Sequence, residues 1–103
     1  MLYRIQTEDI NRDSIIAIIV QNFESFTIIP AIGYWQGKPE NSIIIEIIGN
    51  HDDYDKIRNC ADNIRRQNRQ ECVLITQSHS RFEFRYQDSE KQNGYIYGIG
   101  QIE

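Results

Sequence analysis

Cysteine is scarce in this chain: Cys60 and Cys72 are the only two in 103 residues, which excludes a disulfide-dense secreted scaffold and fits free thiols in a reducing cytosol. Both fall in stretches that read as core-facing, Cys60 on a helix and Cys72 opening a strand, with a single bridge between them as the alternative. Histidine is equally sparse, and His51 and His79 show no ligand spacing to one another, so the chain is expected to hold no metal and no cofactor. Ser14 and Ser25 have no nearby base and neither cysteine has a histidine at catalytic spacing, which leaves nucleophilic catalysis without support. Gly98 and Gly100 do not make a phosphate-binding loop. Long apolar runs are missing too. The longest, Ile15 to Val20, is far short of the roughly 20 residues of a membrane span, and no basic start leads into an apolar leader; a cytoplasmic protein without a membrane element is expected. Basic residues are outnumbered, 11 Lys and Arg against 15 Asp and Glu for a net charge of -4, so the overall field repels nucleic acid.

What is present is ordinary globular material, 40% hydrophobic and 25% charged, enough for one self-sufficient domain and too short for two. Leu2 to Gln6 alternates loosely as a first strand, and Thr7-Glu8-Asp9 offers capping side chains for a helix beginning near Asp9 and stopping near Asn22. Ile15, Ile16, Ile19, Val20 and Phe23 make its expected buried stripe. These β-branched residues are poor helix formers, so packing must hold that helix. A β-branched run follows at Thr27-Ile28-Ile29, interrupted by Pro30, which cannot donate to a ladder and therefore predicts an edge strand.

The segment from Phe26 to Ile48, FTIIPAIGYWQGKPENSIIIEII, reads as a long hairpin. Its return arm, Ser42 to Ile48, is broken only by Glu46, the pattern of a central strand covered on both faces. Gly49 to Asp53 is a turn whose acidic residues favour a helix start, and Tyr54, Ile57, Cys60, Ala61 and Ile64 form the apolar face of the helix that follows. Cys72 to Thr76 is a fourth strand, and Arg81 to Tyr86 alternates as a fifth. Asp88 to Gly94 is loop-like. The tail from Tyr95, apolar on alternate positions, should pair as a strand within the domain or with a neighbour.

Strand, helix, strand, strand, helix, strand is the split βαβ order, which implies an α+β ferredoxin-like domain with an antiparallel sheet ordered 4-1-3-2 and both helices on one face. Residues 1–87 form the expected core, and 88–103 a loop with an extra C-terminal strand. Because both helices cover one face while the third strand is apolar on both, its second face calls for a covering surface, and association of identical subunits is the simplest one.

On Ile29, Pro30, Tyr34, Trp35, Gly37, Lys38, Glu40 and the return strand from Ile43, the hairpin resembles the central hairpin of the CutA family within the PII-like superfamily. Beyond the hairpin the likeness is one of element order. Phe26 and Thr27 occupy the region where CutA chains usually carry a cysteine and an asparagine before the proline. The resemblance implies a homotrimer whose sheets form an inner wall, with ligands in clefts between subunits.

Three sets of polar residues compete as sites. Tyr34 and Trp35 with Lys38 and Glu40 could stack and orient a small anionic or nucleotide ligand, or simply pack on a neighbouring subunit. Arg4 and Glu46 interrupt apolar strands that should be adjacent, as a structural ion pair or as a polar ligand contact. His51, Asp52 and Asp53 could approach a divalent metal, but capping already explains both aspartates. Lys56, Arg58, Arg65, Arg66 and Arg69 read as a solvated helix face, with contact to a phosphate-bearing ligand or RNA as the alternative. The expected function is a non-enzymatic, oligomeric ligand-binding or regulatory protein; the alternative is an interaction module or small phage-type inhibitor docking on a larger partner.

Overall fold

Alternating burial along one isoleucine-rich strand shows how the domain is layered. In the computed structural model, which describes residues 1–85, 87 and 99–101, β1 (Leu2–Glu8) lies antiparallel between β3 (Lys38–Ile48) and β4 (Leu74–Ser78). β2 (Thr27–Trp35) pairs with the far side of β3, giving the order β2-β3-β1-β4. Register sets Tyr3 against Ile47, Ile5 against Ile45 and Thr7 against Ile43, and all six are buried. Helices α1 (Arg12–Val20) and α2 (Tyr54–Gln67) supply Ile15, Ile18, Ile19, Ile57, Cys60, Ala61 and Ile64 to the same core. The chain is an α+β ferredoxin-like domain with its sheet in the expected order. No helix among the described residues is long and apolar enough to cross a membrane.

Local chemistry explains most boundaries. Pro30 sits in β2, whose only partner among the described residues is β3, so its missing donor costs the sheet least at this edge. The hairpin closes through Gln36 and Gly37, both at positive φ (51° and 80°), the double left-handed conformation of a two-residue turn matched to strand twist. α2 is entered through a short 3-10 turn (His51–Asp53). There Asn50 accepts from the Asp52 amide at 2.9 Å, and its own amide donates to the Asp53 carboxylate at 3.0 Å. In this reciprocal cap the Asp53 carboxylate fills the role expected of the acidic turn, while Asp52 contributes its backbone amide.

Several expectations shift. β1 runs on to Glu8, so Thr7 is a buried strand residue, its hydroxyl lacking a hydrogen-bond partner among the described residues, and does not cap α1. α1 starts at Arg12, after Asn11 in a left-handed conformation without a side-chain cap. Its buried set is Ile15, Ile18 and Ile19, whereas Val20 is 58% exposed. A helix of nine residues covers its sheet with a narrow stripe, and neighbours about 100° round the axis cannot all face inward. Tyr54 likewise stands at the edge of the α2 stripe, 40% exposed with the Arg58 guanidinium 5.8 Å from its ring. Cys72 is exposed and precedes β4, which begins at Leu74. The segment Gln70 to Val73 is still turning out of α2 at the point where a strand was expected.

The fifth strand is shorter than its alternation suggests: β5 (Arg81–Glu83) pairs antiparallel with β6 (Ile99–Gln101) in a separate two-stranded sheet. Part of the tail thus pairs within its own chain. The expected loop from Asp88 to Gly94 and the start of the tail lie outside the described residues.

Truncating Ile45, wholly buried between two strands and the helices, should lower stability by ~2–5 kcal/mol. Ile32→Ala, at a position 71% exposed on the projecting hairpin, should stay within about 0.5 kcal/mol. Urea midpoints of the two variants at unchanged slope check this, and equal losses would refute the assignment of the hairpin arm to the surface.

Candidate functional site

The face of the sheet away from the helices is built by the alternate residues of each strand. Register aligns Thr27, Glu46, Arg4 and Thr76 across it in one row, and Ile29, Ile44, Gln6 and Leu74 in the next. Leu2 and Ile48 oppose each other at one end. Ile44 is only partly covered, and Ile29, Ile48 and Leu74 are 37%, 49% and 51% exposed. Among the described residues the second apolar face of β3 therefore stays partly exposed.

Arg4 and Glu46 meet at the centre of that face. Nε of Arg4 donates to Glu46 Oε2 at 2.9 Å, and a terminal guanidinium nitrogen lies 2.8 Å from the same oxygen. Their side chains are half and about a quarter exposed, so water screens the pair and it contributes little to stability in this setting. The two charges answer each other.

A cavity of about 160 Å³ opens where the hairpin tip comes back over the end of α2. Trp35 and Glu40 from the hairpin, Glu8 from the end of β1, and Arg69 to Cys72 from the segment after α2 form its walls. Trp35 Nε1 donates to Glu71 Oε2 at 3.1 Å, a contact spanning 36 residues that fixes the indole against this segment. Arg69 adopts a left-handed backbone (φ 53°), turning the chain sharply as α2 ends. Where Glu8 meets the hairpin, the Asp9 amide also donates to the Asn41 carbonyl at 2.8 Å, tying the β1 exit to the base of the arm. On the same face Gly33 leaves room: a Cβ there would stand 2.7 Å from Ser42 Oγ.

The six expected site residues thus divide. Trp35 and Glu40 share the cavity, and Arg4 and Glu46 pair elsewhere on the same face. Tyr34 projects to the opposite side of the hairpin, 72% exposed. Lys38 is opposite Trp35 in register yet does not line the cavity. Glu8, Arg69, Gln70, Glu71 and Cys72 were not foreseen as lining residues. Only Glu8 had a legible signal, because extending the alternation of β1 by two residues puts it on the face of Arg4.

A second cavity, about 250 Å³, lies between Met1, Tyr3, His51, Tyr54 and Gln77. The Tyr3 hydroxyl donates to the Asn50 carbonyl at 2.8 Å. Burial, with smaller effects of Asp53, Asp52 and Tyr54, raises its pKa above the ordinary tyrosine value, so this phenol stays neutral. Among the described residues no three His, Cys, Asp or Glu side chains are grouped to hold a metal ion. Arg66 donates to Asn63 at 2.6 Å and Lys56 lies 4.0 Å from Asp53, local uses of two residues of the basic helix face. No protein-family model and no curated protein matches this chain.

Two outcomes follow from this geometry. A double-mutant cycle of Arg4→Ala and Glu46→Ala should give a coupling below about 1 kcal/mol in dilute, monomeric protein; a coupling of several kcal/mol there would contradict the exposure of the pair. Thiol alkylation at neutral pH should modify Cys72 and spare Cys60 until the protein unfolds. The reason is that Cys72 is exposed, while burial raises the Cys60 pKa against a smaller lowering by an Asn22 hydrogen bond. Peptide mapping after alkylation reads the difference, and equal labelling of the folded protein would overturn it.

Proposed function

We propose that this protein is a non-enzymatic small-ligand-binding or regulatory protein of PII/CutA-like type that works as an oligomer, with a trimer as the expected form. The observation that carries this reading is the cavity in which Trp35 and Glu40 of the hairpin meet the segment after α2. A half-open recess walled by an indole and several polar groups can orient a small molecule. It lies toward the same side of the sheet as the uncovered Ile29, Ile44, Ile48 and Leu74. A neighbouring subunit laid on that side would bury the apolar rows, strengthen the Arg4–Glu46 pair by excluding water, and complete the wall of the recess. Binding would then report on, or be reported by, subunit arrangement, which is sensing rather than transformation.

A second reading, docking on a larger protein partner, has its own support in Ile32 and Tyr34. Both are more than 70% exposed on the arm of the hairpin, where the helices do not reach. Native mass spectrometry of the purified protein separates the two. The first reading expects a homo-oligomer, with a small molecule retained or with thermal stabilisation by some member of a panel of nucleotides, metals, anions and organic cations. A monomeric mass with no stabilisation by any of them would sink it, and a stoichiometric foreign protein would favour the second.

A further inference from the structure

The charge around the hairpin cavity is the reverse of what an anionic ligand needs. Three carboxylates, Glu8, Glu40 and Glu71, line it against one guanidinium, Arg69. Among the described residues the ion pairs are Arg4–Glu46, Arg12–Asp9, Lys56–Asp53 and Arg85–Glu83; none draws a carboxylate from this rim. The chain as a whole is also acidic, at -4.

Charge alone would describe any acidic surface; here it surrounds a recess with an aromatic wall held in place. The only polar hydrogen of the Trp35 indole is engaged by Glu71 at 3.1 Å, which leaves the ring's π-face, not its N–H, as the feature a ligand can meet. An indole face attracts cations more strongly than any other side-chain ring, and the attraction grows as water is excluded. Glu71 thus serves twice, since it fixes the ring and brings negative charge beside it. From these observations we infer that the cavity takes a small organic cation, an alkylammonium or alkylguanidinium head seated on Trp35 with Glu8 and Glu40 beside it. The inference rests on the ligand-binding reading above and names the chemistry of its ligand, replacing the expected anion.

Trp35 is the only tryptophan in the chain, so its emission is a local reporter, and Cys72 on the same wall gives a second that does not depend on fluorescence. The full-length protein is titrated with tetramethylammonium, with tert-butanol as a neutral partner of similar shape, and with adenosine monophosphate as an anion. Tetramethylammonium should change Trp35 emission saturably, slow Cys72 alkylation, and bind at least about tenfold more tightly than tert-butanol. Its affinity should fall with added salt, and by about tenfold in a Glu8→Gln/Glu40→Gln variant with unaltered circular dichroism. Trp35→Phe, followed by Cys72 protection, should also weaken binding, which keeps the test open if the double variant is unfolded. Equal binding of tert-butanol, or saturable binding of adenosine monophosphate alone, overturns the cation while leaving the ligand-binding reading intact. No response to any of the three probes also overturns it, whereas the ligand-binding reading is judged separately by retained mass and thermal stabilisation.

Discussion

Everything else in the domain depends on burying one row of isoleucines. Ile43, Ile45 and Ile47 are sealed between two neighbouring strands and two helices, and each such side chain contributes ~1.5–3 kcal/mol on leaving water. That gain holds the β-branched helix α1 in place despite its unfavourable propensity. It also fixes the register of β1 on β3, because a slip of one residue would exchange Ile45 for Glu46 in the core. With register fixed, Arg4 must meet Glu46. Glu8 is carried in the same way to the base of the hairpin.

The same constraint creates the asymmetry between the two faces of the sheet. Helices cover only one face, and the strand that supplies the core also carries Ile44 and Ile48 to the other. The open face is not uniformly apolar, since the Arg4–Glu46 row crosses its middle. The cavity lies at the end of this face where a long arm and a left-handed exit from α2 converge, so a ligand there would touch the hairpin and the helical layer together.

Much of the fold was legible because its signals are local. Pro30 marked an edge and the apolar face of α2 was read nearly residue by residue, whereas the return arm, expected from Ser42, begins at Lys38 directly after the turn at Gln36 and Gly37. The errors fell where a pattern had two solutions. Five apolar side chains near α1 allowed more than one stripe, and only the sheet beneath selected Ile18 over Val20. Cys72 stays outside β4 because the chain turns at Arg69, which adopts a conformation more usual for glycine. The candidate site was half legible for the same reason. Trp35 and Glu40 stand together in one hairpin, but Glu71 reaches Trp35 across 36 residues, and no local pattern encodes that meeting.

By itself the sequence determined the element order and the edge and centre of the sheet, because hydrophobic period, proline and turn chemistry act over a few residues. Only the tertiary structure decided that Tyr34 and Lys38 stay outside the cavity, that Cys72 is exposed, and that carboxylates rather than cations dominate its rim. Those outcomes depend on where the end of α2 lands relative to the hairpin. That position is set by the packing of Ile57, Cys60, Ala61 and Ile64 onto the sheet, a collective fit that no single segment contains.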